Sequence, residues 1–187
     1  MRVITIIMLA IGAFVLAGCK SNTVMIAMDD NFTQFREVPK LDPNVHKDKV
    51  KSITAGVSFK LVGPVSATPQ LTFTTGYQAH WNDTQQELIR RYEELVNAFN
   101  SGIISMPEYN RQLAKLNNYE AETKQLAMEQ REYMRNVAQI AFAELEAETT
   151  KTQIKEFAGK KQYLENRISS INSQLKSMPA PRTKKGS

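Results

Sequence analysis

Cysteine occurs once in this chain of 187 residues and histidine twice, so the usual raw material for metal and thiol centres is nearly missing. A lone Cys19 cannot close a disulfide within the chain. His46 and His80 do not stand at a ligand spacing such as His-x-x-x-His, and each is read as solvated or structural. The chain also lacks Gly-x-Ser-x-Gly, a glycine-rich phosphate loop and His-Glu-x-x-His. Its densest acidic stretch, Glu144-Leu145-Glu146-Ala147-Glu148, spreads alternate carboxylates around a helix instead of converging them. The expectation is a chain that is not an enzyme, with no metal, no cofactor and no small-molecule substrate.

The most conspicuous apolar run lies at the very start. Arg2 is followed by Val3–Val15, which includes Ile4, Ile6, Ile7, Leu9, Ile11 and Phe14. The run is too short for a spanning helix, and no stop-transfer pattern follows it. Small residues then lead into the cysteine, which is the layout of a signal peptide over residues 1–18. The closing sequence Leu16-Ala17-Gly18-Cys19 resembles the lipobox of bacterial lipoproteins. That resemblance implies a diacylglycerol on the Cys19 sulfur, cleavage before it, and acylation of the new amino group. Two or more acyl chains hold a protein on a bilayer stably, whereas one does not. The resemblance further implies, from Lys20 where an aspartate would retain the protein in the inner membrane, an address on the periplasmic face of the outer membrane.

The net charge is +5, with Arg2 supplying one unit. That balance suits anionic headgroups and other envelope polyanions, while nucleic acid is not expected beyond a secretion signal. Residues 19–50 carry Asp29-Asp30-Asn31, Pro39 and Leu41-Asp42-Pro43-Asn44, and read as a lipidated tether in which Thr23–Met28 could be a short strand.

A period of two follows. Ile53, Ala55, Val57, Phe59 and Leu61 alternate with polar residues, as do Leu71, Phe73, Thr75, Tyr77, Ala79 and Trp81. The expectation over 51–81 is a β-hairpin with one apolar face, whose members Val57, Phe59, Leu61, Leu71, Phe73, Tyr77 and Trp81 either pack on a helix or meet a membrane. Strands of about ten residues can cross a bilayer when tilted, but one hairpin cannot close a barrel, so several chains would have to pool strands.

From Asn82 the period is helical, with Leu88, Tyr92, Leu95 and Phe99 on one stripe and Asp83 as the cap. Gly102 ends that helix, and Ser105 with Glu108 opens the next, giving a helix-turn-helix over 82–118. About residues 88–116, including Gly102-Ile103-Ile104 and Glu108-Tyr109, resemble the short helical module called SHOCT. Such modules usually sit at chain ends and are associated with oligomerisation; here the segment is internal.

Beyond it, Tyr119, Leu126, Tyr133, Ile140, Ala147, Ile154, Lys161, Ile168 and Leu175 recur every seven positions. A companion row is poorly filled by Thr123, Gln130 and Val137 in its first half and well filled by Phe157, Leu164, Ile171 and Met178 in its second. The expectation is one long helix over 119–178, a coiled coil or one long arm of a helical bundle, bent if anywhere at Gly159. Tyr119, Leu126, Tyr133, Ile140, Ile154, Phe157, Leu164, Ile168, Ile171 and Leu175 are its candidate self-association residues. A basic, disordered tail over 179–187 completes the chain.

The fold class expected is α+β, mostly α: a β-hairpin, a helical hairpin and a long final helix. The function expected is a non-enzymatic scaffold, membrane-bound through lipid on Cys19, which forms a homo-oligomer or docks an envelope protein. A pore protomer that contributes one hairpin is the alternative.

Overall fold

The computed structural model describes residues 22–55, 57, 72–142 and 147–183. An antiparallel pair, β1 (Thr23–Ala27) and β2 (Phe35–Pro39), opens it, with Ile26 opposite Arg36. Four helices follow: α1 (Asn44–Thr54), α2 (Thr75–Asn100), α3 (Met106–Phe142) and α4 (Ala147–Ser177). The class is therefore α+β and mostly helical, one two-stranded hairpin followed by helices of which the last is long. Among the described residues no helix is long and apolar enough to cross a membrane.

The hairpin lies earlier in the chain than the alternation over 51–81 predicts. Asp29 makes the turn: its carboxylate accepts from the Thr33 and Gln34 N–H groups, each at 2.9 Å, and from the Thr33 hydroxyl at 2.7 Å. The N–H of Gln34, the Thr33 hydroxyl and further turn N–H groups hold that carboxyl below its ordinary range. The expected tether is thus a strand pair and a helix. Its breakers are the punctuation of those elements, with Asp42 accepting from the Asn44 N–H at 2.9 Å where α1 begins.

Residues 75–81, expected as strand, form the first turns of α2. The misreading has a definite cause. Phe73, Tyr77 and Trp81 are four apart, and a spacing of four satisfies both a period of two and a period of 3.6. The positions that separate the two are Thr75 and Ala79, which are exposed, and Thr84 and Leu88, which are buried. Thr74 is the true cap, its hydroxyl accepting from the Tyr77 N–H at 3.1 Å, so Asp83 lies inside the helix rather than at its start. In the other expected strand, residues 51–54 belong to α1 with Ile53 buried, while Phe59 and Leu61 lie outside the described residues, as does Leu71 of the second.

The turn between α2 and α3 matches expectation. The Ile103 N–H bonds the Ala98 carbonyl and the Gly102 N–H bonds that of Phe99, a Schellman closure with Gly102 at φ 70°. The expected single helix over 119–178 is divided between α3 and α4, and the two run antiparallel. Glu122 meets Arg167 at 3.2 Å, and further along Glu129 meets Lys160 at 2.8 Å. Gly159 lies within α4, so it does not break the helix. The companion row changes character because its halves face different neighbours. Thr123 and Gln130, poor seam residues by composition, are buried, and Gln130 accepts the Tyr77 hydroxyl from α2 at 2.9 Å.

Helices α2, α3 and α4 thus form a three-helix body with α1 laid across α2 and α3. The hairpin is tied to the end of α2 by Asn100, whose side chain accepts from the Leu41 N–H and donates to the Leu41 carbonyl, both at 2.8 Å.

Candidate functional site

The densest polar cluster surrounds the start of α3. Ser105 caps the helix, its hydroxyl accepting from the Glu108 N–H at 3.2 Å. In a complete capping box the Glu108 carboxylate would return to the Ser105 N–H. It turns outward instead, accepting from Arg111 Nη2 at 2.7 Å, from Gln112 Nε2 at 2.9 Å and from the Arg182 N–H at 3.1 Å. Arg111 reaches at the same time across to the hairpin turn, with Nη1 and Nη2 donating to the two Asp30 oxygens at 2.8 and 3.0 Å. Asp30 also accepts the Ser105 hydroxyl at 2.8 Å. Three distant stretches, namely the hairpin turn, the α3 start and the C-terminal tail, are clasped by one guanidinium and two carboxylates. The tail, expected to be disordered, is docked here as far as Arg182.

An open cleft of about 620 Å³ lies between Asp30, Arg111 and Arg182, and one of about 480 Å³ adjoins it beside Lys115. Burial pushes the Glu108 carboxyl up, but the bonds from Gln112, the Arg182 N–H and Arg111 outweigh it, and the net shift is downward. Asp30 is lowered as well, first by Arg111 and then by Ser105. A general acid at neutral pH needs the opposite shift. Chemically the cluster is a lock made of ionised carboxylates held at a helix N-terminus, where negative charge is favoured.

Glu108 is 4% exposed, so this lock has a pH signature. A carboxyl whose pKa falls on folding contributes stability that is complete above its ordinary value of 4.5 and is lost as pH drops through the lower folded value. Glu108→Gln is expected to destabilise the protein by about 1–3 kcal/mol at pH 7. It should also flatten the acid side of the stability curve below pH 4.5, and urea unfolding measured from pH 2 to 7 checks both.

A second cluster joins α1 to the body. The His46 ring stacks on Tyr92 with centroids 4.2 Å apart and planes 1° from parallel. The Tyr92 hydroxyl lies 2.9 Å from Glu120 Oε2 and 3.0 Å from Asn117 Oδ1, and Lys49 pairs with Glu120 at 2.7 Å. Burial, then Lys49, lowers the His46 pKa, while burial and Glu120 raise that of Tyr92. His46 thus stands in α1 rather than in a tether, stacked against the body. His80 stands on α2 with Nδ1 3.3 Å from Asn172 Nδ2.

The residues singled out by sequence meet different fates. Cys19 lies outside the described residues. Phe73, Tyr77 and Trp81 come together in the core, Phe73 stacked on Tyr77 at 4.3 Å, and Val57 packs half-buried against that core. Leu126, Tyr133, Leu164, Ile168, Ile171 and Leu175 are buried, with Tyr119, Ile154 and Phe157 packed against them. The Ile140 side chain lies outside the described residues. The heptad residues described therefore line the interior of one chain, where α4 supplies the partner surface that a second copy was expected to provide. Asp30, Arg111 and Arg182 escaped sequence reading; the Ser105-x-x-Glu108 box was the one signal that pointed to their meeting place. No family model matches this chain, and neither a curated protein nor a solved structure matches it.

Proposed function

We propose that the chain is a non-enzymatic envelope lipoprotein, held by lipid on Cys19 to the periplasmic face of the outer membrane, whose helical body is a scaffold that docks a protein partner. The observation that carries the reading is the apolar run Val3–Val15 closing in Leu16-Ala17-Gly18-Cys19. The four steps from Cys19 to Thr23, where β1 starts, span at most about 14 Å. The body would therefore stand on the membrane instead of trailing from a leash. Its buried carboxylates are committed to arginine, lysine and amide partners, which suits an architectural role. With the heptad seam filled from within, docking falls to the outer surface of the helices. A scaffold is favoured over a pore protomer because β1 and β2 have five residues each, against the roughly 9–11 that cross a bilayer, and because Tyr77 and Trp81 are core residues of α2.

The test is the full chain expressed in a Gram-negative host, with mass spectrometry of the mature N-terminus and separation of the two membranes. The expected result is an acylated Cys19 in the outer-membrane fraction, movement to the inner membrane on Lys20→Asp, and loss of acylation on Cys19→Ala. An unmodified Cys19 sinks the reading.

A further inference from the structure

The hairpin has two faces of opposite character. Ile26 points inward and is fully buried, and Val24 and Val38 pack against the core on the same side. The other face carries Met25 at 54% exposure and Phe35 at 46%. The pairing of Ala27 with Phe35 and of Met25 with Glu37 puts both side chains on that one outer surface. The turn between α2 and α3 extends the surface by a third strip. Ser105 bridges Ala27 in parallel, and the chain passes the β1 backbone so closely that a Cβ on Gly102 would lie 2.8 Å from the Met25 carbonyl oxygen. In that register Ile104, fully buried, falls beside Ile26, and Ile103, 44% exposed, falls beside Met25. Phe35, Met25 and Ile103 thus come from three adjacent backbone strips onto one exposed face.

Exposed apolar residues scattered singly need no explanation, but a group on one face does. What covers it is set by where the chain leaves the body. The Asn22 carbonyl accepts the Lys40 N–H at 2.7 Å, so the backbone is fixed up to Asn22, three residues from Cys19 and at most about 11 Å from it. Arg36 and Lys40 belong by register to the Ile26 side, so among the strand residues of the outer face Glu37 is the charged one, its carboxylate accepting the Thr23 hydroxyl. Exposed apolar side chains held this close to an acyl anchor are placed to bed into the headgroup–acyl boundary.

We propose that the outer hairpin face, formed by Met25, Phe35 and Ile103, rests in the phospholipid surface into which Cys19 is anchored. This rests on the lipoprotein reading above and adds an orientation to it. The hairpin end of the body meets the membrane, and α3 and α4 project away. Met128 on α3 stands about 30 Å along the helix from Met106, and Tyr163 on α4 lies at a similar level, since Glu122 and Glu129 of α3 bracket it through Arg167 and Lys160.

An acylated Cys19 has no free thiol, so a second cysteine would be the only reactive one. Met25→Cys, Phe35→Cys and Ile103→Cys, with Met128→Cys and Tyr163→Cys as controls, are labelled with an environment-sensitive fluorophore on the full lipidated chain. The labelled proteins are reconstituted in phosphatidylethanolamine–phosphatidylglycerol vesicles, with circular dichroism to verify helix content. Supporting results are a blue shift at positions 25, 35 and 103 that brominated lipid quenches, with water-like emission at 128 and 163. Water-like emission at all five positions on a chain whose Cys19 is acylated overturns the orientation and leaves the anchor intact. A blue shift that brominated lipid does not quench, in a chain that runs as a dimer, overturns it in favour of a second copy. A chain without acyl mass on Cys19 overturns both readings.

Discussion

Trp81→Ala is expected to remove about 3–5 kcal/mol of stability, the range for deleting a large buried aromatic. The indole is 2% exposed and continues a ring series in which Phe73 stacks on Tyr77 and lies tilted against Tyr133 of α3. The neighbouring hydroxyl of Tyr77 bonds Gln130 at 2.9 Å, so the void would open beside a buried polar contact that cannot relax toward it. Against a total of about 5–15 kcal/mol for a domain of this size, that is a large fraction. Ala79→Lys is the companion measurement. A strand over 69–81 puts Ala79 on the same face as Trp81, and a lysine there would be as damaging. On α2 Ala79 is exposed, and the change is expected to stay within about 0.5 kcal/mol. Urea titrations of the two variants, with unchanged m-values, separate the alternatives. Equal damage at both positions contradicts the helix.

The same pair of positions shows how much of the fold could be read from residues alone. From Thr84 to Leu116 the chain was legible, because several independent signals agree there: an apolar stripe at 3.6, a glycine able to take φ 70°, and a serine followed by Pro107 and Glu108. Over 71–81 one signal stood alone, and its spacing of four is shared by both secondary structures. Of the hairpin at 23–39 only the first strand was legible, as the possible short strand over Thr23–Met28, and its pairing was hidden for the opposite reason. Its strands are five residues each, and the inner apolar positions are few, because one face packs on a helix end and the other is exposed. The heptad row was read correctly as a seam but not as to what fills it. A seven-residue repeat specifies that a helix has a partner, and is silent on whether the partner is a second chain or the same chain returning. Glu122 with Arg167 and Glu129 with Lys160 make sense only once the return is known. The clasp of Asp30, Glu108, Arg111 and Arg182 was out of reach altogether, since its members are brought together by tertiary packing alone.

Gly102 carries the second large effect, and for two separable reasons. Its φ of 70° costs a residue with a Cβ about 1–2 kcal/mol. Independently, that Cβ would sit 2.8 Å from the Met25 carbonyl oxygen and 3.3 Å from Val24 Cγ2. Neither the backbone oxygen nor the strand can yield without moving the bridge between Ala27 and Ser105. Gly102→Ala is therefore expected to cost about 2–4 kcal/mol, the overpacking of a rigid contact adding to the backbone term. For a protein of this size that lowers the melting temperature by about 4–16 °C. Gly102→Asn divides the two contributions, because asparagine tolerates the left-handed region but keeps the Cβ. If close approach of the turn to β1 is part of the cost, Asn recovers the conformational share and stays more than about 1 kcal/mol below the parent. Thermal unfolding of both variants decides the matter. Near-complete recovery by Asn would mean that the hairpin can shift off the turn, and with it the strip that places Ile103 beside Met25.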